Sequence, residues 1–337
     1  MRRIVLTTAI VGLAMAAMAP AGASPHATTI TAPAAKRATP PVQFATWNFC
    51  NSTCGNWDRR LLAFVRTVSA TRPDVLAVQE LDIRDDHLAK TARALRPLGY
   101  VEADPGVYAS CSGGCESHLF VRSRTIRVVQ GPRAGLQGKS RTAGIVPPGV
   151  LPVRGRINPV SFALLEHRAT GARVLALSLH LEKQGGTDLN GPDDRARNDT
   201  VRALARWSAS YAAGLGAPRT PTVMLGDFNS YPRKQPNGPH RVLVKRGYLN
   251  TENARTTLGD KYATVNKTPA DARWNGFPPR PRVFPLGGPR IDGVLTKGLP
   301  TALRYQVYIR TRPDGRFDER YRASDHNLVR TWIALPR

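Results

Sequence analysis

Six short polar clusters, each closing an apolar run, constrain this chain more than any other feature. In order they are Trp47-Asn48, Gln79-Glu80, Ser178-Leu179-His180, Gly226-Asp227-Phe228-Asn229, Arg290-Ile291-Asp292 and Ser324-Asp325-His326. A short apolar run that stops at Asp, Glu or His reads as a buried strand bringing one polar side chain to the end of a sheet. Each cluster alone is equally compatible with a solvated loop start or an Asx-turn. Together they call for a fold that gathers strand ends.

The rest of the chain agrees with a mixed α/β domain. Val42 to Trp47, Asp74 to Val78, Thr222 to Leu225, Ile291 to Leu295, Tyr305 to Arg310 and Leu328 to Ile333 are strand candidates. Leu119 to Val121 and Ile126 to Val129 read as a strand pair around Arg122-Ser123-Arg124, and Pro159 to Glu166 with Arg173 to Leu181 as a hairpin around Ala169-Thr170-Gly171. Helical spacing of apolar residues marks Trp57 to Ser69, His87 to Leu98 and Asp193 to Ala213. Gly131 to Gly155 reads as a long surface loop, and the Pro- and Arg-rich Lys261 to Pro289 as a functional loop.

These residue types suit phosphoester cleavage. Such a reaction needs a non-bridging oxygen neutralised, a water activated and a departing oxygen stabilised, and a divalent ion held by few carboxylates meets the first and last needs. Glu80, closing an apolar strand, is the best single ligand candidate, and an oxygen site of this kind suits Mg²⁺, with Mn²⁺ or Ca²⁺ as alternatives. Asp227 and Asn229, two apart on an extended segment, would share a face. His326 and Asp292 have the composition of a dyad in which a carboxylate orients an imidazole. The other five histidines, His240 among them, lack such company and read as satisfied or solvated.

From about Val42 to its end the chain resembles the endonuclease/exonuclease/phosphatase superfamily, which includes deoxyribonuclease I-like nucleases, bacterial sphingomyelinases and inositol polyphosphate phosphatases. The resemblance implies a four-layered α-β-β-α sandwich of two packed mixed sheets. It implies metal ligation by Glu80 with Asn48 and Asp325. It assigns water activation to Asp227, stabilisation of the pentacovalent state to Asn229, a pair between Asp292 and His326, with His326 as general base or phosphate ligand, and a phosphate-donating or general-acid role to His180. Gly293 departs from the pattern, standing where an aromatic commonly follows the Ile-Asp pair.

Arg2-Arg3, the apolar Ile4 to Ala19 and Ala21-Gly22-Ala23 read as an export signal cleaved near Ala23, followed by an Ala/Thr/Pro-rich linker over 24–41 and one catalytic domain over 42–337. Secretion into an oxidising compartment fits four cysteines, which allow three pairings; Cys50–Cys54 and Cys111–Cys115 are favoured, because residues four apart in a tight turn reach disulfide distance, with a four-Cys zinc site as the rival. The net charge is +25, and removing Arg2 and Arg3 leaves +23, which favours a polyanionic partner such as nucleic acid or an anionic surface. Arg310, Arg312 and Arg316, in a segment interleaved with Tyr305, Tyr308 and Tyr321, are the substrate-contacting candidates. The expectation is a secreted, monomeric, metal-dependent nuclease with no stable protein partner. The alternatives are a sphingomyelinase-like phospholipid phosphodiesterase, using Trp274 and Phe277 at an interface, and a non-catalytic polyanion-binding protein.

Overall fold

The computed structural model describes residues 40–51, 54–81, 86–103, 116–129, 142–152, 158–183, 192–232, 236–266 and 289–336. The chain order is β1 (Val42–Asn48), α1 (Trp57–Thr71), β2 (Val75–Gln79), α2 (His87–Leu95), β3 (Tyr100–Glu102), β4 (His118–Arg122), β5 (Ile126–Val128), β6 (Ala143–Ile145), β7 (Ser161–His167), β8 (Arg173–His180), α3 (Pro192–Gly214), β9 (Thr222–Asp227), α4 (Pro239–Val244), β10 (Leu249–Asn250), β11 (Thr256–Leu258), β12 (Asp292–Lys297), β13 (Arg304–Tyr308) and β14 (Leu328–Ile333).

The strands form two mixed sheets. One runs β11-β13-β14-β1-β2-β4-β3; the other runs β10-β12-β9-β8-β7-β5, with β6 also paired to β7. Alternation along each strand divides its side chains between two cores. Phe44, Val75, Ala77, Val174, Ala176, Val223, Leu225 and Val294 fill the layer between the sheets. Their neighbours Ala45, Trp47, Leu76 and Val78 face α1 and α2 on the outside of the first sheet, meeting Phe64, Val68 and Leu95. Leu175, Leu177, Leu179 and Met224 face α3 and α4 on the outside of the second, against Val201, Leu204, Val242 and Leu243. This is the expected four-layered sandwich, and burial on both faces explains why its central strands read as continuous apolar runs.

The same alternation builds the site. The inward-facing series on β1 continues from Phe44 to Thr46 and Asn48, on β2 from Ala77 to Gln79, on β8 from Ala176 to Ser178 and His180, and on β9 from Leu225 to Asp227, so the inter-sheet layer turns polar at one end. The first polar tier is a buried bridge between sheets: Thr46 Oγ1 donates to Gln79 Oε1 (3.0 Å), and Gln79 Nε2 donates to Ser178 Oγ (3.0 Å). Register then aligns the strand ends, with Asn48 opposite Gln79, and Asp227 between His180 and Asp292.

Three sequence readings need correction. β4 and β5 do not pair: β4 joins β2 and β3, whereas β5 joins β7 in the other sheet. The turn between them is a crossover pinned to Asp74 by Arg122 Nη2 (2.5 Å) and Thr125 Oγ1 (2.7 Å), contacts that no local pattern encodes. The stretch read as a long loop contains β6 and a 3₁₀ turn at Pro148–Val150, while Val146 and Leu151 are buried in the outer core. The helix expected to reach Leu98 leaves α geometry at Leu95 and ends in a 3₁₀ turn containing Pro97, because a proline inside a helix removes a donor and crowds the preceding turn. None of the described helices is long and apolar enough to cross a membrane.

Candidate active site

Asn48 joins the two sheets at the site. Its Nδ2 donates to Glu80 Oε1 (2.9 Å) and to Asp227 Oδ2 (3.1 Å), while its Oδ1 accepts from the Cys50 N–H (2.9 Å). Glu80 is further held through Oε2 by the Asn51 N–H (3.1 Å). Burial would raise the Glu80 carboxyl, but His180, the Asn48 amide, His326 and the Asn51 N–H hold it below its ordinary value. Glu80, Cys50 and Asn229 all adopt positive φ, at 57°, 55° and 46°. Such strain in non-glycine residues persists where surrounding structure enforces it.

The dyad expected from composition is formed. His326 Nδ1 lies 2.9 and 3.1 Å from the two oxygens of buried Asp292, and its Nε2 lies 4.0 Å from Asp227 Oδ2. Burial alone would push this imidazole down, but Asp292, Asp325 and Asp227 hold it well above its ordinary value. Its loop is tied to β1 by Ser324 Oγ donating to Asn48 O (2.6 Å) and Trp47 Nε1 donating to His326 O (3.0 Å). The start of the segment expected to be functional buttresses it: Asn266 N donates to Asp325 O (2.7 Å), and Thr264 Oγ1 accepts from the Ile291 and Asp292 N–H groups (2.9 and 3.1 Å). The remainder of that segment, with Trp274 and Phe277, lies outside the described residues.

Asp227 is almost wholly buried. Burial, followed by the neighbouring Asp292, pushes its carboxyl up to about 6 against the pull of His326 and His180. Asn229 corrects the expectation of an extended pair. Its backbone N–H donates to Asp227 Oδ1 (2.7 Å), an Asx-type turn through a left-handed residue, while its side-chain Nδ2 turns to Leu181 O (2.9 Å). Gly226 is required here. It has φ +157°, and a Cβ on it would lie 1.8 Å from Leu179 O on the adjacent strand.

His180 Nε2 lies 3.8 Å from both Glu80 Oε1 and Asp227 Oδ2. On its other side Nδ1 lies 3.7 Å from Glu116 Oε2, a residue the sequence reading did not select. Burial would lower this imidazole, but Glu116, Asp227 and Glu80 raise it above its usual value. Arg60 was also missed. Only 1% exposed, it donates through Nη1 to Phe49 O (2.6 Å) and Cys50 O (2.8 Å), through Nη2 to Asn51 O (3.1 Å), and through Nε to Gly55 O (2.8 Å). It thereby shapes the loop that carries Asn48 and Asn51, and burial lowers it to about 10 despite Asp325 and Glu80 nearby.

The Cys50–Cys54 bridge expected in that loop is present, with a Cα separation of 6.0 Å, which leaves its sulfurs out of any zinc site. Cys111 and Cys115 lie outside the described residues. Of the expected substrate contacts, Arg310 lines a small cavity with Trp47, Tyr308, Tyr321 and His326. Arg312 pairs with Asp314 (3.1 Å) in an exposed turn closed by the Arg312 N–H to Arg316 O. The space beside Gly293 is occupied: a Cβ there would lie 3.3 Å from Nε2 of His240, whose ring packs on Phe228 (centroids 4.6 Å).

The donor set at the strand ends is oxygen-rich, and Asp227, Asp292 and His326 offer ligand atoms within 4.8 Å of one another. Oxygen donors crowded into a buried site fit a hard divalent cation of the Mg²⁺ type. The sequence matches the model of the Endonuclease/Exonuclease/phosphatase family over residues 45–326. The chain belongs to this family. Its members are phosphoric ester hydrolases, generally dependent on divalent metal. No curated protein matches the chain. Among solved structures it is similar to an endonuclease/exonuclease/phosphatase family protein from Bacteroides thetaiotaomicron, at 19% identity and TM-score 0.60 over 89% of this chain and 100% of that one. A mannosyl-6-phosphatase from the same organism aligns at 18% identity and TM-score 0.60 over 87% and 99%. TDP2 of D. rerio, complexed with single strand DNA product, aligns at 13% and 0.54 over 87% and 98%. At these identities the structural likeness speaks for the fold.

Proposed function

We propose that this chain is an exported, divalent-metal-dependent phosphodiesterase whose substrate is nucleic acid. The convergence of two imidazoles, His326 and His180, on the carboxylates of Asp227 and Glu80 carries the reading. A divalent cation, when bound, supplies charge neutralisation at a phosphate oxygen and at the departing oxygen; Glu80 would hold it, with Asp325 and the Asn48 side chain beside it. In the arrangement described above Asn48 also clamps Glu80 to Asp227.

The remaining chemistry belongs to the side chains. Asp227, whose carboxyl is lifted toward neutrality yet ionised above about pH 6, orients the attacking water and takes its proton as the new P–O bond forms. Asp292 and neighbouring carboxylates raise His326 well above its ordinary value, which favours the phosphate-donor role over the base among its two family roles. His180, also raised, protonates in this reading the oxygen that leaves as the old P–O bond breaks. Asn229 steadies Asp227 through its N–H.

The net charge of +25 and the exposed Arg310 beside His326 support a polyanionic substrate. Purified protein should hydrolyse DNA or RNA with Mg²⁺ or Mn²⁺ and stop on chelation. Turnover of sphingomyelin or of a sugar phosphate without cleavage of either nucleic acid at low salt would overturn the substrate assignment. Binding without any hydrolysis would leave a polyanion-binding protein.

A further inference from the structure

On the outer face of the first sheet, α1 and α2 pack over β1, β2 and β4. The same face of β13 and β14 carries two facing columns, with Arg304 opposite Trp332, Gln306 opposite Arg330 and Tyr308 opposite Leu328. Cations and rings alternate along it. The Arg304 guanidinium lies 5.3 Å from the Trp332 ring centroid, and that of Arg330 lies 4.7 Å from Trp332 and 5.1 Å from Tyr308. Arg330 is fixed by Gln306 Oε1 (2.8 Å) and Thr71 O (3.3 Å). The series continues past the strands with Arg310, 4.3 Å from the Tyr321 ring, and Tyr308, Arg310 and Tyr321 line the same cavity as His326. From Trp332 to Leu328 the row is about 13 Å long at roughly 3.3 Å per residue, and it ends at the cavity that His326 lines.

Charge on this row is available. Arg312 and Arg320 are paired with Asp314 (3.1 Å) and Asp318 (2.6 Å). Exposed Arg304 forms no ion pair with a carboxylate among the described residues, while exposed Arg310 lies near Asp318 and helps hold that carboxyl below its ordinary value. Unpaired guanidinium groups bind phosphates, and both aromatic rings and guanidinium planes offer stacking surfaces for unpaired bases. We propose that the outer face of β13–β14 is a second binding surface for single-stranded nucleic acid, holding by phosphate contact and base stacking a strand that leads to His326. The proposal rests on the nucleic-acid reading of the active site for its purpose, but not for its test.

Binding of a labelled twenty-residue oligothymidylate is measured by anisotropy with chelator present, so that nothing is cut. Trp332→Ala should weaken binding about tenfold, the loss of one stacked base. Arg304→Glu should do the same and flatten the logarithmic salt dependence by about 0.7, the value of one single-strand phosphate contact. Both variants should turn over a small phosphodiester at the wild-type rate. Arg304→Gln keeps the test decisive if either variant fails to fold. Wild-type affinity in well-folded variants would overturn the proposal, as would selective loss of anionic-vesicle binding with oligonucleotide binding unchanged. If nucleic acid is cleaved with unchanged KM by both variants, the surface fails and the function stands. If the wild type cleaves no nucleic acid but the variants lose oligonucleotide binding, the function fails and the surface stands.

Discussion

His240 should make the protein acid-sensitive by an amount that follows from its surroundings. It is buried against Phe228 and Gly293, and its Nδ1 has no hydrogen-bond partner among the described residues. Burial lowers the imidazole to about 4, whereas an unfolded histidine titrates near ~6.5. Above pH ~6.5 the ring is neutral in both states and pH has no effect through it. Between the two values the unfolded chain takes up a proton that the folded chain refuses, so stability falls as pH falls. Below about 4 both states are protonated and the loss stops growing. At ~1.36 kcal/mol per unit, the loss reaches about 2.5 kcal/mol at pH ~4.5 and about 3 kcal/mol at its limit. His240→Leu removes the titration and the unpaired nitrogen while roughly keeping the volume. Urea denaturation at a series of pH values should show the variant near the wild type at pH ~7.5 and about 2.5 kcal/mol more resistant at pH ~4.5. The two pH profiles running parallel from ~7.5 to ~4.5 would refute the argument, since carboxylates elsewhere affect both proteins alike.

Other outcomes follow from the same geometry. Gly226→Ala should cost about 3 kcal/mol or more, because its methyl group would meet Leu179 O at 1.8 Å and the neighbouring Asp227 would shift with it; thermal melting and activity report the two effects. Arg60→Met should lower stability by about 3 kcal/mol, leaving the buried carbonyls of Phe49 and Cys50 without the guanidinium, and should weaken Mn²⁺ binding measured directly by titration, whereas removal of an exposed arginine such as Arg66 should do neither. Replacing Cys50 and Cys54 by Ser should loosen the Asn48–Asn51 loop, so that metal affinity falls more than the melting temperature does.

Much of the fold was legible because its central strands are buried on both faces, so that Val75 to Val78 or Thr222 to Leu225 appear as apolar runs that end where the core turns polar. The same reason made the site legible: a residue such as Asp227 or Asn48 lies on the inward-facing series of its strand and has nowhere to go but the polar end of the inter-sheet layer. Pairings between distant segments were not legible. β4 and β5 are adjacent in sequence yet belong to different sheets, and among the described residues Asp74, Gly99 and Arg168 hold the crossover between them. Glu116 meets His180 across the two sheets, and no apolar run precedes it to mark it as a strand end. Arg60 did leave a signal, a lone arginine one turn before Phe64 on the buried stripe of α1. Asn229 was misplaced because alternation was carried past the end of β9, where a left-handed turn takes over.

In the function we propose, Glu80, clamped by Asn48 and Asn51, is the carboxylate around which metal-dependent phosphodiester hydrolysis is organised. Steady-state hydrolysis of nucleic acid by wild type and Glu80→Gln, each titrated with Mg²⁺, tests it most directly. Turnover should fall about 10²- to 10⁴-fold, with the melting temperature within a few degrees of wild type and Mg²⁺ no longer saturating in the wild-type range. Wild-type turnover by Glu80→Gln at limiting Mg²⁺ would contradict the account.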